Sequence, residues 1–228
     1  MKQHVVMVAG GTGTRMRLST AKQFLRVEGL PLMWWTFRRF KEALPEAEVT
    51  LVLHESLFEE FTQLEKEFGP AGAVRVVPGG AERFHSVLAG LNTLPDEGIV
   101  GIHDAVRPFP SAETIQRCFD LAAKCGSAIP VVPVKDSIRR MIDNEGVSRA
   151  EDRGELRAVQ TPQCFDLAKL KKAFNASYRP EFTDDASVFE HAGQQVHLCD
   201  GDPWNVKVTT PEDLTIAEAF VRAAWPQG

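Results

Sequence analysis

Val5-Val6-Met7-Val8-Ala9-Gly10-Gly11-Thr12-Gly13-Thr14-Arg15-Met16, with Lys22-Gln23 shortly after, is the stretch from which the rest of the chain is read. An apolar run that opens directly into glycines is the pattern of a first β-strand delivering a tight turn at its carboxyl end. Glycines at 10, 11 and 13 remove side-chain bulk, so backbone N–H groups can close on phosphate oxygens. Arg15 and Lys22 stand just beyond as cations for a polyphosphate. A turn whose glycines serve geometry alone is the competing reading, and a short glycine motif does not by itself separate the two.

Two commoner phosphate loops are excluded. A Walker A loop ends in Gly-Lys-Ser/Thr, whereas Gly10 leads through Gly-Thr-Gly-Thr to Arg15. The dinucleotide fingerprint begins well at Gly11 and Gly13 but meets Met16 where its third glycine should pack helix on strand. Its acidic partner, expected about twenty residues on, would be Glu28. That residue lies in Val27-Glu28-Gly29-Leu30-Pro31, which reads as a turn.

Beyond this loop, strand-like and helix-like patterns alternate. Val49–Leu53, Val74–Val77, Ile99–His103 and Ala128–Val132 read as strands. Residues near 32–43, 57–68, 83–92 and 112–124 carry apolar side chains at helical spacing. This rhythm predicts βαβ units: an α/β fold with a mostly parallel, Rossmann-like sheet and helices on both faces. Ligands then bind beyond the carboxyl ends of the strands. One domain over residues 1–228 accommodates the whole pattern, with no repeat, low-complexity tract or linker. Residues 135–153 break the rhythm. Ser137–Ile142 and Val147–Ala150 flank the turn Asp143-Asn144-Glu145-Gly146, which predicts a projecting β-arm. An isolated two-stranded hairpin is marginal in water, so the arm is expected to pack on a second subunit; a mobile surface loop is the alternative.

Composition removes several classes of function. A net charge of −5 argues against a broad nucleic-acid surface, so an anionic ligand must be held by a local cluster of cations. No apolar run approaches membrane-spanning length, and Met1-Lys2-Gln3-His4 leads into a strand without a signal-peptide core. The four cysteines form no C-x-x-C pair and the six histidines no H-E-x-x-H, which leaves no zinc pattern. Reduced thiols and a cytoplasmic location are the economical expectation.

The polar clusters fall just after the strands. Gly79-Gly80-Ala81-Glu82-Arg83-Phe84-His85-Ser86 places Arg83 and Ser86 one turn apart at a helix start, suited to a base edge or an anion. His103-Asp104-Ala105-Val106-Arg107-Pro108 puts a carboxylate at a strand end, with Arg107 either free for a ligand or simply paired with Asp104. Asp152-Arg153 closes the arm. Thr183 or Asp184 is a candidate helix cap. Pro211, Glu212 and Asp213 serve helix initiation and leave Lys207 unexplained. No nucleophile stands beside a general base, and no carboxylate pair is set apart for acid–base work. Cations after successive strands (Arg15, Lys22, Arg83, Arg107, Arg153, Lys207) point to phosphoryl or nucleotidyl transfer, where catalysis is positioning plus charge stabilisation.

Taken in order from Val8 to Asp213, these motifs resemble the 2-C-methyl-D-erythritol 4-phosphate cytidylyltransferase family. The segments are A-G-G-T-G-T-R-M with K-Q, G-G-A-E-R-F-H-S-V, H-D-A-V-R-P, P-V-K-D-S, D-R, T-P-Q, T-D-D-A-S and N-V-K-V-T-T-P-E-D-L. The resemblance implies a dimer formed through the 135–153 arm, with CTP lying across the glycine-rich loop. Nucleotide-binding residues would be Ala9, Gly10, Gly11, Gly13, Gly80, Arg83, Ser86 and Ala105. Arg15 and Lys22 would be catalytic, stabilising charge on the α-phosphate. Asp104, Arg107, Thr183 and Lys207 would hold the sugar-alcohol phosphate, with Ser137 and Arg153 completing the neighbouring subunit's pocket. Mg²⁺ would be held mainly by the phosphates, near Asp104, with no protein-only metal site. Two spellings depart from the family: Ala21-Lys22-Gln23 for the usual Pro-Lys-Gln, and Ala9-Gly10-Gly11 for Ala-Ala-Gly. The second also occurs in enzymes acting on ribitol 5-phosphate, which keeps that acceptor as an alternative. A non-catalytic CTP-binding sensor is the alternative of another class.

Overall fold

The computed structural model describes residues 1–10 and 21–224. The chain runs β1 (Gln3–Ala9), β2 (Arg26–Val27), β3 (Leu30–Pro31), α1 (Leu32–Ala43), β4 (Glu48–Leu53), α2 (Phe58–Phe68), β5 (Arg75–Pro78), α3 (Arg83–Leu91) and β6 (Ile99–Asp104). It continues through α4 (Ala112–Cys125), β7 (Ser127–Pro133), β8 (Ile138–Met141), β9 (Ser148–Glu151), β10 (Arg157–Val159) and β11 (Gln163–Asp166). Helices α5 (Leu167–Ala173) and α6 (Asp185–His191), strand β12 (Leu198–Asp200) and α7 (Pro211–Ala224) complete it.

The main sheet has the order β10-β7-β11-β6-β1-β4-β5, with β12 added parallel to β7. β1 pairs in parallel with β4 on one side and β6 on the other, and β5 extends the β4 side in parallel. The chain thus leaves β1 in one direction and returns across it, and a crevice opens at the carboxyl ends of β1 and β6 where the order reverses. β11 runs antiparallel between β6 and β7, and β10 is antiparallel to β7. The predicted parallel sheet therefore carries antiparallel insertions. The short Gln163–Asp166 run, which is not among the strands read from the sequence, is a buried central strand.

Alternation along the strands separates two cores. Val5 and Met7 face a cluster built with α1, α2, α4 and α7. Val6 faces the opposite cluster, built with α3, α5 and α6. Burying apolar area on both faces stabilises the sheet by roughly 25 cal/mol per Å². The sequence also sets the helix starts. Ser111 caps α4 by accepting from Thr114 N, and Asp184 with Ser187 forms a capping box on α6. β8 and β9 pair antiparallel as the expected arm, with Ile138 opposite Glu151 and Met141 opposite Ser148. Met141, Ile142 and Val147 at its tip are exposed apolar side chains.

Candidate active site

The crevice at the sheet's reversal point is a cavity of about 330 Å³. Its walls gather residues from five separate stretches: Ala9 and Gly10, Lys22 and Gln23, Gly80 to Arg83 with Ser86, Asp104, and Lys207. Gly11, Gly13 and Arg15 lie outside the described residues.

On the β1 and α3 side, close backbone approach decides the shape. A Cβ on Gly80 would fall 2.3 Å from the His85 Cβ, and one on Gly10 would fall 2.9 Å from the Ser86 Oγ. Glycine is required at the first and leaves room over the serine at the second. The Gly80 N–H donates to Ser86 Oγ at 3.1 Å, which leaves the buried serine its own proton to donate. Gln23 donates to the Ala9 carbonyl at 3.1 Å and so ties the Lys22 segment to the end of β1. No role had been assigned to Gln23 in the sequence, although the Lys22-Gln23 pair marks it.

The opposite wall centres on Asp104, the last residue of β6 and 7 % exposed. Its Oδ2 accepts from Lys207 Nζ at 2.8 Å, with Arg107 Nε at 3.6 Å; its Oδ1 lies 3.5 Å from Arg83 Nε. Burial works against the carboxylate's charge, but Arg83, Lys207 and Arg107 outweigh it and hold the group well below the usual carboxylate range. Arg83 in turn forks onto Asp185, at 2.8 and 2.7 Å. Burial opposes the guanidinium charge, yet Asp185 and Asp104 overcome it and hold Arg83 above the ordinary arginine range. Three cations against two carboxylates leave the cluster net positive before any ligand arrives.

Backbone order behind this wall comes from a buried polar chain. Thr161 Oγ1 accepts from Asp104 N at 3.2 Å and lies 2.9 Å from His103 Nδ1, while His103 Nε2 is 3.0 Å from the Arg107 carbonyl. Because a carbonyl only accepts, Nε2 carries the proton and Nδ1 accepts from the threonine. Burial pushes His103 down to about 4, so the ring is neutral at physiological pH. Arg107 Nη1 donates to the Asn205 carbonyl at 2.8 Å, and Asn205 Nδ2 donates to the Thr161 carbonyl at 2.7 Å. Gln160 exchanges two bonds with the backbone of Asp202. The T-P-Q motif, whose Thr161-Pro162 peptide is cis, thereby places the Lys207 loop against the Asp104 loop.

The remaining candidates fall elsewhere. Ala105 is fully buried, its N–H bonded to the Val8 carbonyl and its carbonyl to Thr36. Thr183 is exposed just ahead of α6 and does not line the cavity; Asp184, not Thr183, is the cap. Ser137 and Arg153 are exposed on the arm, where Arg153 donates to the Lys135 carbonyl. Asp185 has no assigned role in the sequence, where it directly follows the cap candidates Thr183 and Asp184; only the fold brings Arg83 to it.

The sequence profile of the 2-C-methyl-D-erythritol 4-phosphate cytidylyltransferase (IspD) family matches residues 3–223. The chain is 43 % identical over 223 residues to the 2-C-methyl-D-erythritol 4-phosphate cytidylyltransferase of Bacteroides thetaiotaomicron, covering 97 % of this chain and 100 % of that relative. A solved 2-C-methyl-D-erythritol 4-phosphate cytidylyltransferase from Thermus thermophilus superposes with a TM-score of 0.77 at 31 % identity, over 97 % of this chain and 100 % of that one. A solved 4-diphosphocytidyl-2C-methyl-D-erythritol synthase from Anaerococcus prevotii shares the fold, with a TM-score of 0.81 at 23 % identity over 97 % and 96 % of the two chains.

Proposed function

The chain belongs to the 2-C-methyl-D-erythritol 4-phosphate cytidylyltransferase family and transfers a cytidylyl group from CTP to 2-C-methyl-D-erythritol 4-phosphate in non-mevalonate isoprenoid biosynthesis, and from that premise we propose how its residues divide the work. The observation that carries the division is Asp104, standing at the reversal point between a glycine-lined wall and a wall bearing Lys207, with Arg107 against Asp104 but outside the cavity lining. CTP lies along the first wall, with Ala9, Gly10, Gly80, Arg83 and Ser86 facing it and Gly11 and Gly13 completing the nucleotide contacts, while Ala105, fully buried, supports the wall from within. The acceptor lies along the second, its hydroxyls on Asp104 and its phosphate facing Lys207, with Arg107 beside Asp104.

An acceptor phosphate oxygen attacks the α-phosphorus in line; the new P–O bond forms as the bond to the β-phosphate oxygen breaks and pyrophosphate leaves. The attacking monoester has its second pKa near 6, so no protein base is needed. Arg15 and Lys22 stabilise the charge that builds on the α-phosphoryl oxygens. Mg²⁺ fits this arrangement as a phosphate-borne ion. Asp104 and Glu82 put carboxylate oxygens on the cavity wall and would hold the ion beside the phosphates. When bound, the ion neutralises phosphate charge.

Ser137 and Arg153 serve the pocket of a second copy, and the exposed apolar arm tip supports pairing between copies. Four free cysteines, and the absence among the described residues of any helix long and apolar enough to cross a membrane, are consistent with work in the cytoplasm. Lys22→Ala tests the catalytic assignment. Turnover is expected to fall at least about a hundredfold while CTP affinity changes by only a few-fold. Equal losses in both would make Lys22 a binding residue only.

A further inference from the structure

One buried carboxylate beside the site has no part in the reading above. Asp185 is the first residue of α6 and 1 % exposed, and its two oxygens take both terminal nitrogens of Arg83. A fork-on-fork pair fixes a guanidinium in plane as well as in place. What Arg83 turns toward Asp104 is its Nε edge, 3.5 Å from Oδ1. Asp185 is itself anchored. Gln163 donates to Asp184 Oδ2 at 2.8 Å and accepts from Ala186 N at 2.9 Å, which pins the start of α6 to β11. A carboxylate on α6 therefore sets an arginine on α3, and that arginine faces the carboxylate ending β6.

We propose that Asp185 is a positioning residue for the acceptor half of the site: by holding Arg83 edge-on to Asp104, it sets the direction in which Asp104 meets the hydroxyls of the sugar-alcohol phosphate. The inference rests on Asp104 being an acceptor-binding residue. Without Asp185, Arg83 would carry an uncompensated charge on the wall of a cavity built for phosphates. It would swing to an incoming phosphate or close on Asp104, and the carboxylate would lose its orientation while polyphosphate attraction remained.

The test is pyrophosphate-release kinetics with each substrate varied in turn, on Asp185→Asn, Arg83→Lys and the double variant, with thermal melts alongside. Asp185→Asn keeps the shape and removes the charged half of the fork. Arg83→Lys keeps the charge, loses the fork and leaves Asp185 a cationic partner, so it decides the matter even if Asp185→Asn does not fold. Both single variants are expected to raise the acceptor KM about ten- to a hundredfold. Asp185→Asn should move the CTP KM by no more than about threefold, whereas Arg83→Lys, which alters a side chain on the nucleotide wall, is read on the acceptor KM. The double variant should be no worse than the more impaired single one, because both break one contact. An unchanged acceptor KM in Arg83→Lys, losses that multiply in the double variant, or a loss confined to the CTP KM would each overturn the proposal. Asp104→Asn separates this from failure of the premise: an unchanged acceptor KM there removes Asp104 from the acceptor pocket and the inference with it. An impaired Asp104→Asn beside an unimpaired Arg83→Lys refutes the inference alone.

Discussion

Asp104→Asn takes one negative charge out of the cation cluster while keeping the shape of the side chain, and the geometry says where the cost falls. Lys207, 42 % exposed, can turn its ammonium to water, and Arg83 keeps its fork on Asp185. Arg107 has neither escape. Its side chain is 14 % exposed, and once the 3.6 Å approach to Asp104 is gone its remaining described contact is the Asn205 carbonyl at 2.8 Å. At that separation and an effective dielectric of about 20, the lost attraction is about 5 kcal/mol. Relaxation and residual solvation reduce the expected loss of folding stability to about 2–4 kcal/mol. For a chain of this size each kcal/mol corresponds to about 2–4 °C, so the melting temperature should fall by about 5–15 °C. Losing a charged acceptor for substrate hydroxyls should lower kcat/KM for the acceptor about ten- to a hundredfold. Polyphosphate affinity should move the other way, because the cavity gains a net positive charge. Thermal melts, kinetics with each substrate and a calorimetric pyrophosphate titration read all three quantities. A variant melting within about 2 °C of the parent with an unaltered acceptor KM, or one that binds pyrophosphate more weakly, would refute this account of the cluster.

Gly80→Ala should raise the CTP KM by about tenfold or more, because the new methyl overlaps His85 and displaces the N–H that meets Ser86; a parental CTP KM would remove Gly80 from the nucleotide wall. Acid should destabilise the fold below pH 6.5. The unfolded chain takes up protons on His103 from its ordinary value downward, whereas burial delays the folded ring to about 4, so stability is lost as pH falls through that window, by up to about 3 kcal/mol. His4, also lowered by burial and with neither ring nitrogen hydrogen-bonded, adds in the same direction. Asp104, held low by its cations, keeps its contribution until about pH 4 and loses it below. Urea unfolding at pH 7.5 and 5.0 checks this, and equal midpoints would contradict it. Sedimentation should show a dimer that Arg153→Ala leaves intact while lowering activity; a fully active monomer would end the shared-pocket role of the arm.

How much of the site was legible in the sequence follows from how local each feature is. The end of β1, the Gly80 turn, Asp104 at the tip of β6 and the arm about Asp143–Gly146 are written in runs of neighbouring residues, and each stands where periodicity and turn chemistry put it. β11 escaped notice because four residues with mixed character carry no period, and its neighbours on both sides are strands distant in the chain. Asp185 stands next to the cap candidates Thr183 and Asp184, and nothing within the local sequence points across to Arg83.

By itself, then, the sequence determined the alternation of elements, the class of sheet, the family and the places after strands where chemistry gathers, because backbone period, turn residues and ordered motifs are short-range properties. Only the tertiary structure decided which charges share a partner. That Asp104 draws Arg83, Arg107 and Lys207 together, that Asp185 holds Arg83 from behind, and that His103 stays neutral beneath them depend on burial and on contacts spanning much of the chain. Coulomb attraction and desolvation act through space, and the distances that set them exist only once the sheet has brought β1, β6 and the ends of α3, α6 and α7 to one crevice.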